Sequence, residues 1–349
     1  MHEFKIKRMK DPPTGTEVFV EKEKYLEIIG FTSYTYFTNK ITKYSGIAGG
    51  RIRTLGEYIE SFIYGKIAEE AFKTFLENKL GLQTLTEIEI VDFLEGVYLP
   101  DIIAVKIKDD WKPAKFWVDV KEVRRDQKWL LVSASSARQR PYDAYVAVWV
   151  GLPEDHVIFL AESVPEVKEK MGESWRKKAS EVAGKINRIP CRILGFATWN
   201  DISSVMTAHS DTASTAEKKR ALEYLNKKYG EKGSSYFDGS KALFDPDDSS
   251  WSGAVVGENI GFATTRLEKS SDWSEFHSLL LKNERIIPPI PLPRTKSGNL
   301  SKRSGVPPGY SKYADYREAF QAYLADQLSH IEKRFGGIKR TTSWFAQSF

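Results

Sequence analysis

The sequence has very few residues that bind transition metals or form disulfides. Its 349 residues include one cysteine, Cys191, and five histidines, at positions 2, 156, 209, 277 and 330. One cysteine excludes an internal disulfide and a zinc site built from several cysteines, and the scattered histidines match no metal-binding spacing. Any metal ion that the protein binds must therefore be held by oxygen ligands.

Long apolar runs are also missing. No stretch reaches membrane-spanning length, and the basic N-terminus is followed by no apolar segment of the kind that signal peptides contain. We therefore expect a cytoplasmic protein with no membrane association. Its content of 41% hydrophobic and 13% aromatic residues can bury a sizeable core, and its length suits two domains better than one.

The charge is mildly basic, with a net value of +5 and an isoelectric point near 8.9. That balance is compatible with a polyanionic partner but equally with an ordinary enzyme. The distribution is more informative, because residues 286–314 contain no Asp or Glu. This basic strip carries Arg294, Lys296, Lys302, Arg303 and Lys312. Its prolines predict an extended segment that can follow phosphates, and a solvated loop is the alternative.

The sequence changes character twice, which predicts three regions. Residues 1–50 form a leading N-terminal region, 51–200 a core, and 201–349 a loop-rich α+β C-terminal region. Apolar spacings of three and four residues predict a long helix over 51–79, ended by Gly81, and further helices over 133–140, 165–185, 215–229 and 313–335. The segment 238–257 is predicted to be mostly loop.

Runs rich in β-branched and aromatic residues, separated by turn-like sequence, predict the strands of a mixed central sheet with helices packed on it. They cover residues 86–91, 97–106, 116–123, 145–150, 156–160 and 190–197. The fold class is therefore α/β in the core.

Candidate catalytic residues lie within two of these strand-like runs. Asp101 follows Pro100, and the triplet Asp119-Val120-Lys121 comes shortly after. Side chains alternate across a strand, so Asp119 and Lys121 should point to one face. Converging carboxylates repel each other unless a cation lies between them, and hard oxygen ligands suit Mg²⁺. A neighbouring lysine can stabilise phosphate charge in a transition state.

This arrangement resembles the PD-(D/E)XK nuclease superfamily, which includes most type II restriction endonucleases. The resemblance covers residues 55 to about 150 and implies a restriction-endonuclease-like core. Family members usually carry an acidic residue on the helix before the first strand. Glu69 fits this position because it shares a helix face with Phe62 and Phe72, whereas Glu70 lies with Lys66 on a more polar face and is the reserve choice.

The resemblance implies a Mg²⁺-dependent, sequence-specific endonuclease that cuts double-stranded DNA as a homodimer. Glu69, Asp101 and Asp119 would hold one or two Mg²⁺ ions, and Lys121 would stand near the attacking water. The C-terminal region, with its basic strip, would help to grip the DNA.

Other interpretations stay open. The chain could be a structure-selective repair or recombination nuclease of the same fold, or a nucleic-acid-binding protein without cutting activity. Asp101 could be a turn residue, Glu69 an ordinary surface glutamate, and Asp119 the partner of a simple salt bridge with Lys121.

Overall fold

The computed structural model describes residues 13–38, 55–86, 99–124, 127–153, 156, 169, 172–239, 241–244, 251–255, 257–292, 309–310 and 312–335. The helices in these ranges are α1 (Lys22–Thr38), α2 (Leu55–Leu80), α3 (Ala134–Gln139), α4 (Glu173–Ile186), α5 (Trp199–Ala208), α6 (Thr215–Tyr229), α7 (Thr264–Ser270), α8 (Trp273–Lys282) and α9 (Tyr316–Phe335).

A four-stranded mixed sheet forms the centre of the molecule. Its strands, in spatial order, are β1 (Thr16–Glu21), β8 (Arg188–Thr198), β7 (Ala144–Val150) and β5 (Val118–Val123). The pairs β1–β8 and β8–β7 are antiparallel, whereas the pair β7–β5 is parallel. Every residue of β7 is buried, as its uninterrupted apolar sequence predicts for a strand covered on both faces.

One face of this sheet is covered by α1, α2 and α8. Val118 and Val120 of β5 point into this core, together with the even-numbered residues of β7, where they meet Phe72 of α2 and Phe276 of α8. The helix α2 ends at Gly81, whose φ of +67° is a left-handed conformation that glycine adopts without strain. The position of α2 also places Glu69, one of the site residues predicted from the sequence.

The other face is covered by α5, α6, α7 and a second sheet. Val123 of β5 and the odd-numbered residues of β7 point into this second core. The second sheet has the order β6 (Trp129–Ser133), β12 (Asn259–Ala263) and β9 (Ser234–Phe237), all antiparallel. The segment between β5 and β7 thus contributes β6 to the second sheet, and the chain then returns to the central sheet at β7.

Two smaller antiparallel sheets complete the described structure. One has the order β2 (Thr84–Leu85), β3 (Ala104–Ile107) and β4 (Asp110–Pro113), and the other pairs β10 (Lys241–Phe244) with β11 (Trp251–Val255). Apolar residues of β2 and β3 pack against Leu324 and Leu328 of α9. The last helix therefore contacts the segment that leads from α2 to β5.

The α/β class, the mixed sheet and the flanking helices are confirmed. The helix predicted at 215–229 has those bounds, and Ser133 caps α3 by accepting a hydrogen bond from the Ser136 N–H. The central strands β5, β7 and β8 also lie where the sequence predicted them. The strand runs 87–91 and 157–160, and most of the helix start at 165–171, lie outside the described residues.

Three local predictions are wrong. Asp101 lies in a bend before β3 rather than within a strand, because its N–H donates to the Val118 carbonyl instead of joining the β2–β3 ladder. The strand β6 was missed, since a short apolar run before a helix resembles the helix start itself. The segment 238–257 contains β10 and β11 where loop was predicted.

Packing crosses both predicted region boundaries. The strand β1 belongs to the central sheet, and β12 pairs with β6 along residues 259–263 and 129–133. In the part of the chain that the structure describes, no helix combines the length and apolar character needed to cross a membrane.

Candidate active site

Asp101 lies against the open edge of β5. Within the central sheet β5 is the last strand, so its outer N–H and C=O groups need partners from elsewhere. The Asp101 N–H donates to the Val118 carbonyl at 3.1 Å, and the Val120 N–H donates to Asp101 Oδ2 at 2.5 Å. These two bonds fix the Asp101 carboxylate beside the strand that carries Asp119 and Lys121.

Asp119 and Lys121 share one face of β5, as strand alternation predicted. The Lys121 ammonium lies 2.8 Å from each Asp119 carboxylate oxygen. Both side chains keep contact with solvent, at 14% exposure for Asp119 and 37% for Lys121. The salt bridge named as the simple alternative is therefore present, and the function of the pair depends on what surrounds it.

Glu69 approaches Asp101 from α2, close enough for its charge to raise the pKa of the Asp101 carboxyl. Lys66, one helical turn earlier, donates to its two carboxylate oxygens at 2.9 and 2.8 Å. The two side chains are only 6% and 8% exposed, so this pair is buried. Glu69 is thus no ordinary surface glutamate, and Lys66, which the sequence predicted to lie on a more polar face with Glu70, is buried beside Glu69.

Electrostatics links these residues into one cluster, hereafter the carboxylate cluster: Glu69, Asp101, Asp119, Lys66 and Lys121. Burial raises the pKa of Asp101, and repulsion by Glu69 and Asp119 raises that pKa further, against the opposing effect of the two lysines. Burial lowers the pKa of Lys121, but attraction to Asp119 and Asp101 outweighs it and raises that pKa overall. Three acids and two lysines leave a formal charge of −1 (2 − 3) when all are ionised.

Two tyrosines border the cluster on the side of the second core. Tyr145 of β7 is the register partner of Asp119, and its hydroxyl oxygen accepts a hydrogen bond from the Tyr142 N–H at 3.2 Å. The pKa of Tyr142 is raised by burial and then by Asp119 and Asp101. Neither these tyrosines nor Lys66 were among the residues predicted from the sequence, although the spacing of Lys66 and Glu69 is the usual one for a helical ion pair.

The triplet spacing alone would not have located the site. Asp110-Trp111-Lys112 on β4 has the same spacing, also follows Pro100-Asp101, and also forms an ion pair, with 3.3 Å between Lys112 Nζ and Asp110 Oδ2. Its side chains are 72% and 51% exposed. What distinguishes Asp119 and Lys121 is burial beside two further carboxylates, which the sequence pattern does not encode.

The carboxylate donors have the chemistry that a hard divalent cation requires. Among the described residues, however, no group of three or more His, Cys, Asp and Glu side chains is positioned as a ready ligand set. Glu69 and Asp119 each direct their oxygens at a lysine instead. The assignment of Glu69, Asp101 and Asp119 as metal ligands stays a prediction.

Of the five cations of the basic strip, only Lys312 lies among the described residues, where it is exposed and 5.4 Å from the Tyr313 ring centre. Arg294, Lys296, Lys302 and Arg303 lie outside the described residues. The two ends of the strip are joined. The Leu292 N–H donates to the Ala314 carbonyl, and the Tyr316 N–H donates to the Ile290 carbonyl. Both ends pack in one apolar cluster with Trp117 and Tyr142, so the strip begins and ends near the carboxylate cluster.

A second buried charged group lies beside the start of the strip. Asp143 and Arg317 are both fully buried and form an ion pair, with 2.5 Å between Asp143 Oδ2 and Arg317 Nη1. Asp143 also accepts hydrogen bonds from the N–H groups of Trp117, Ile286 and Ile287, and Arg317 donates to the Pro141 carbonyl. This group ties α9 to the start of β5.

Comparison of the chain with protein-family models, with curated proteins and with solved structures finds no match.

Proposed function

We propose that the protein is a Mg²⁺-dependent, sequence-specific endonuclease that hydrolyses phosphodiester bonds in double-stranded DNA, acting as a homodimer in the manner of type II restriction enzymes. The observation that carries the proposal is the convergence of Glu69, Asp101, Asp119 and Lys121 from three separate segments. The helix α2, the bend before β3 and the edge strand β5 each contribute to one partly exposed cluster.

The cluster retains carboxylates in excess over lysines, although burying like charges together is costly. Such repulsion is relieved when a divalent cation binds, and cation binding would supply a Lewis acid for phosphate chemistry. Asp101 and Asp119 are the residues proposed to hold it, with Glu69 completing the set. Asp119 and Asp101 keep Lys121 charged, and its partial exposure allows its ammonium to contact a phosphate oxygen.

The C-terminal region is proposed to supply DNA contacts. The described ends of the basic strip lie beside Trp117 and Tyr142, so a segment with five cations and no acids joins the molecule close to the carboxylate cluster. Positive charge near the scissile site would offset the repulsion between DNA and the carboxylates.

The direct test is cleavage of supercoiled plasmid DNA with Mg²⁺, comparing wild type with Asp119→Asn and Lys121→Ala. We expect discrete linear fragments from wild type and a loss of rate of about a hundredfold or more in each variant, since removal of a group that stabilises developing charge has effects of that size. Gel-shift binding in Ca²⁺ should be largely preserved.

Asp110→Asn and Lys112→Ala are matched controls, because they change the exposed triplet of identical spacing on β4. Both should cut at wild-type rates. Nicking that depends on branched DNA would replace the proposal with a structure-selective nuclease of the same fold. Intact plasmid with every divalent metal, from folded protein that binds DNA, would replace it with a non-catalytic binding function.

A further inference from the structure

Lys66 is a buried cation to which the sequence resemblance assigns no role. Lys66 belongs to α2, and its ammonium lies 5.8 Å from the Phe31 ring centre and 5.3 Å from the Phe62 ring centre. An ammonium among aromatic rings needs a strong partner in order to stay charged. Glu69 is that partner, because both of its oxygens accept hydrogen bonds from Lys66 at 2.8 to 2.9 Å.

Lys66 and Lys121 hold two of the three carboxylates of the cluster in the same way. Each lysine contacts both oxygens of its partner, Glu69 or Asp119, while Asp101 accepts from the Val120 N–H. The two pairs differ in exposure, since Lys121 reaches solvent and Lys66 does not. Lys121 can therefore turn toward a substrate, whereas Lys66 is buried against Glu69.

A cation that coordinates Glu69 must compete with Lys66 for the same two oxygens. The competition is electrostatic as well as steric, because two cations within a few ångströms in a poorly solvated place repel strongly. The i,i+3 spacing on a buried helix gives Lys66 little freedom to withdraw.

We propose that Lys66 is the resident counter-ion of Glu69: it holds the buried carboxylate in place while no metal is bound, and it weakens divalent-cation binding by competing for that carboxylate. Lys66 is a positioning residue in this account, acting through Glu69 rather than on the substrate. The inference rests on the proposed function, because it takes Glu69 as a ligand of the same metal site.

The test is Mg²⁺ binding to the full chain without DNA, measured by titration calorimetry at mildly alkaline pH. Lys66→Met should bind Mg²⁺ about ten- to a hundredfold more tightly than wild type, the range that coupled charged neighbours usually show. Its thermal unfolding without metal should move to lower temperature, and Mg²⁺ should restore more stability to it than to wild type. Lys66→Arg, which retains the charge, should bind Mg²⁺ as wild type does.

A double-mutant cycle separates action through Glu69 from a general charge effect. In a Glu69→Gln background, adding Lys66→Met should raise Mg²⁺ affinity much less than it does in wild type, because only the effect of the Lys66 charge on Asp101 then remains. An equal gain in both backgrounds would overturn the assignment of Glu69 as the point of competition. Lys24→Met is the matched control, because Lys24 and Glu27 form an i,i+3 pair on α1 at 2.7 Å, and it should not alter Mg²⁺ binding.

The outcomes also separate this inference from the proposed function. Mg²⁺ binding that Asp101→Asn and Asp119→Asn weaken, but Lys66→Met leaves unchanged, would overturn the counter-ion role and leave the metal site intact. A folded wild type that binds no Mg²⁺ would overturn both. Should Lys66→Met fail to fold, Lys66→Gln removes the charge while retaining a donor for Glu69, and the same expectations apply to it.

Discussion

The Asp143–Arg317 ion pair and the carboxylate cluster are two charged groups beside β5, and they are built differently. Around Asp143, one acid faces one arginine, and each carboxylate oxygen accepts two hydrogen bonds. In the carboxylate cluster, three acids face two lysines, and burial, followed by repulsion from the other two acids, raises the pKa of Asp101. The first group is balanced by its own surroundings, whereas the second has one acid more than it has lysines.

The difference indicates which group is structural and which is poised to bind a ligand. An ion pair whose carboxylate oxygens each accept two hydrogen bonds holds its segments together and leaves those oxygens nothing for a ligand cation to supply. Unbalanced charge in a partly exposed place costs stability, and binding a cation removes that cost. Removing a charge should therefore destabilise the protein at the Asp143–Arg317 pair and stabilise the metal-free protein at the carboxylate cluster.

The largest effect is expected from Arg317→Met. It leaves the Asp143 carboxylate buried with its arginine partner gone, and breaking such a pair destabilises a protein by about 3–5 kcal/mol. The free energy of unfolding, measured with urea, should fall by that amount. Arg138→Met removes an exposed partner of Glu258, so it should leave stability nearly unchanged. An Arg317→Met variant as stable as wild type would remove the contrast between the two groups.

A smaller effect of opposite sign is expected from Asp101→Asn. Its removal relieves the repulsion from Glu69 and Asp119, so the metal-free protein should become more stable at neutral pH while losing Mg²⁺ affinity. The pKa of Asp101 is raised in the folded protein, so folding favours its protonated form. The stability that folding gains from protonated Asp101 is fully present below the ordinary aspartate pKa. It is lost as the pH rises through the raised pKa of Asp101 in the folded protein.

The measurement is urea unfolding in EDTA across that pH range for wild type and Asp101→Asn. The stability advantage of the variant should be largest at neutral pH and should shrink as wild-type Asp101 becomes protonated in acid. Asp110→Asn on β4 is the exposed control and should show no such change. A destabilised Asp101→Asn at neutral pH would mean that the Val120 hydrogen bond outweighs the repulsion, and the cluster would then be structural.

The elements that the sequence predicted well are those with a strong local pattern. The apolar run of β7 and the apolar spacing of α6 could be predicted because each is a pattern of neighbouring residues. The strand β6 was missed because its identity depends on β12, more than a hundred residues later in the chain. Pairing across such a distance leaves no local signal.

The candidate site divides in the same way. Alternation along β5 placed Asp119 and Lys121 on one face, and the apolar face of α2 favoured Glu69 over Glu70. The burial of Lys66 and the difference between Asp119 and Asp110 were not predictable, because both depend on which surfaces the folded chain covers. Residue types and their spacing therefore indicated candidate side chains, but not which of these side chains the folded chain buries.

The smallest expected effect is on DNA binding and concerns the basic strip. Like the carboxylate cluster, the strip has an excess of one kind of charged residue, in this case cations. If unbalanced charge indicates a ligand, its five cations contact phosphates. Replacing Lys302 and Arg303 by Glu should then weaken DNA binding modestly and lower the slope of log affinity against log salt by about two, since each lost phosphate contact removes about one.

The control must change net charge equally at another exposed place, because any loss of positive charge weakens attraction to DNA in general. Lys177→Glu with Lys178→Glu on α4 does so, since both side chains are exposed in a helix far along the chain from the strip. Gel-shift titrations of both double variants over a series of salt concentrations separate a general effect from a local one. A lower slope in the Lys302 and Arg303 variant alone places phosphates along the strip. Equal slopes in both variants would assign the strip to solvent and restrict the argument from unbalanced charge to the carboxylate cluster.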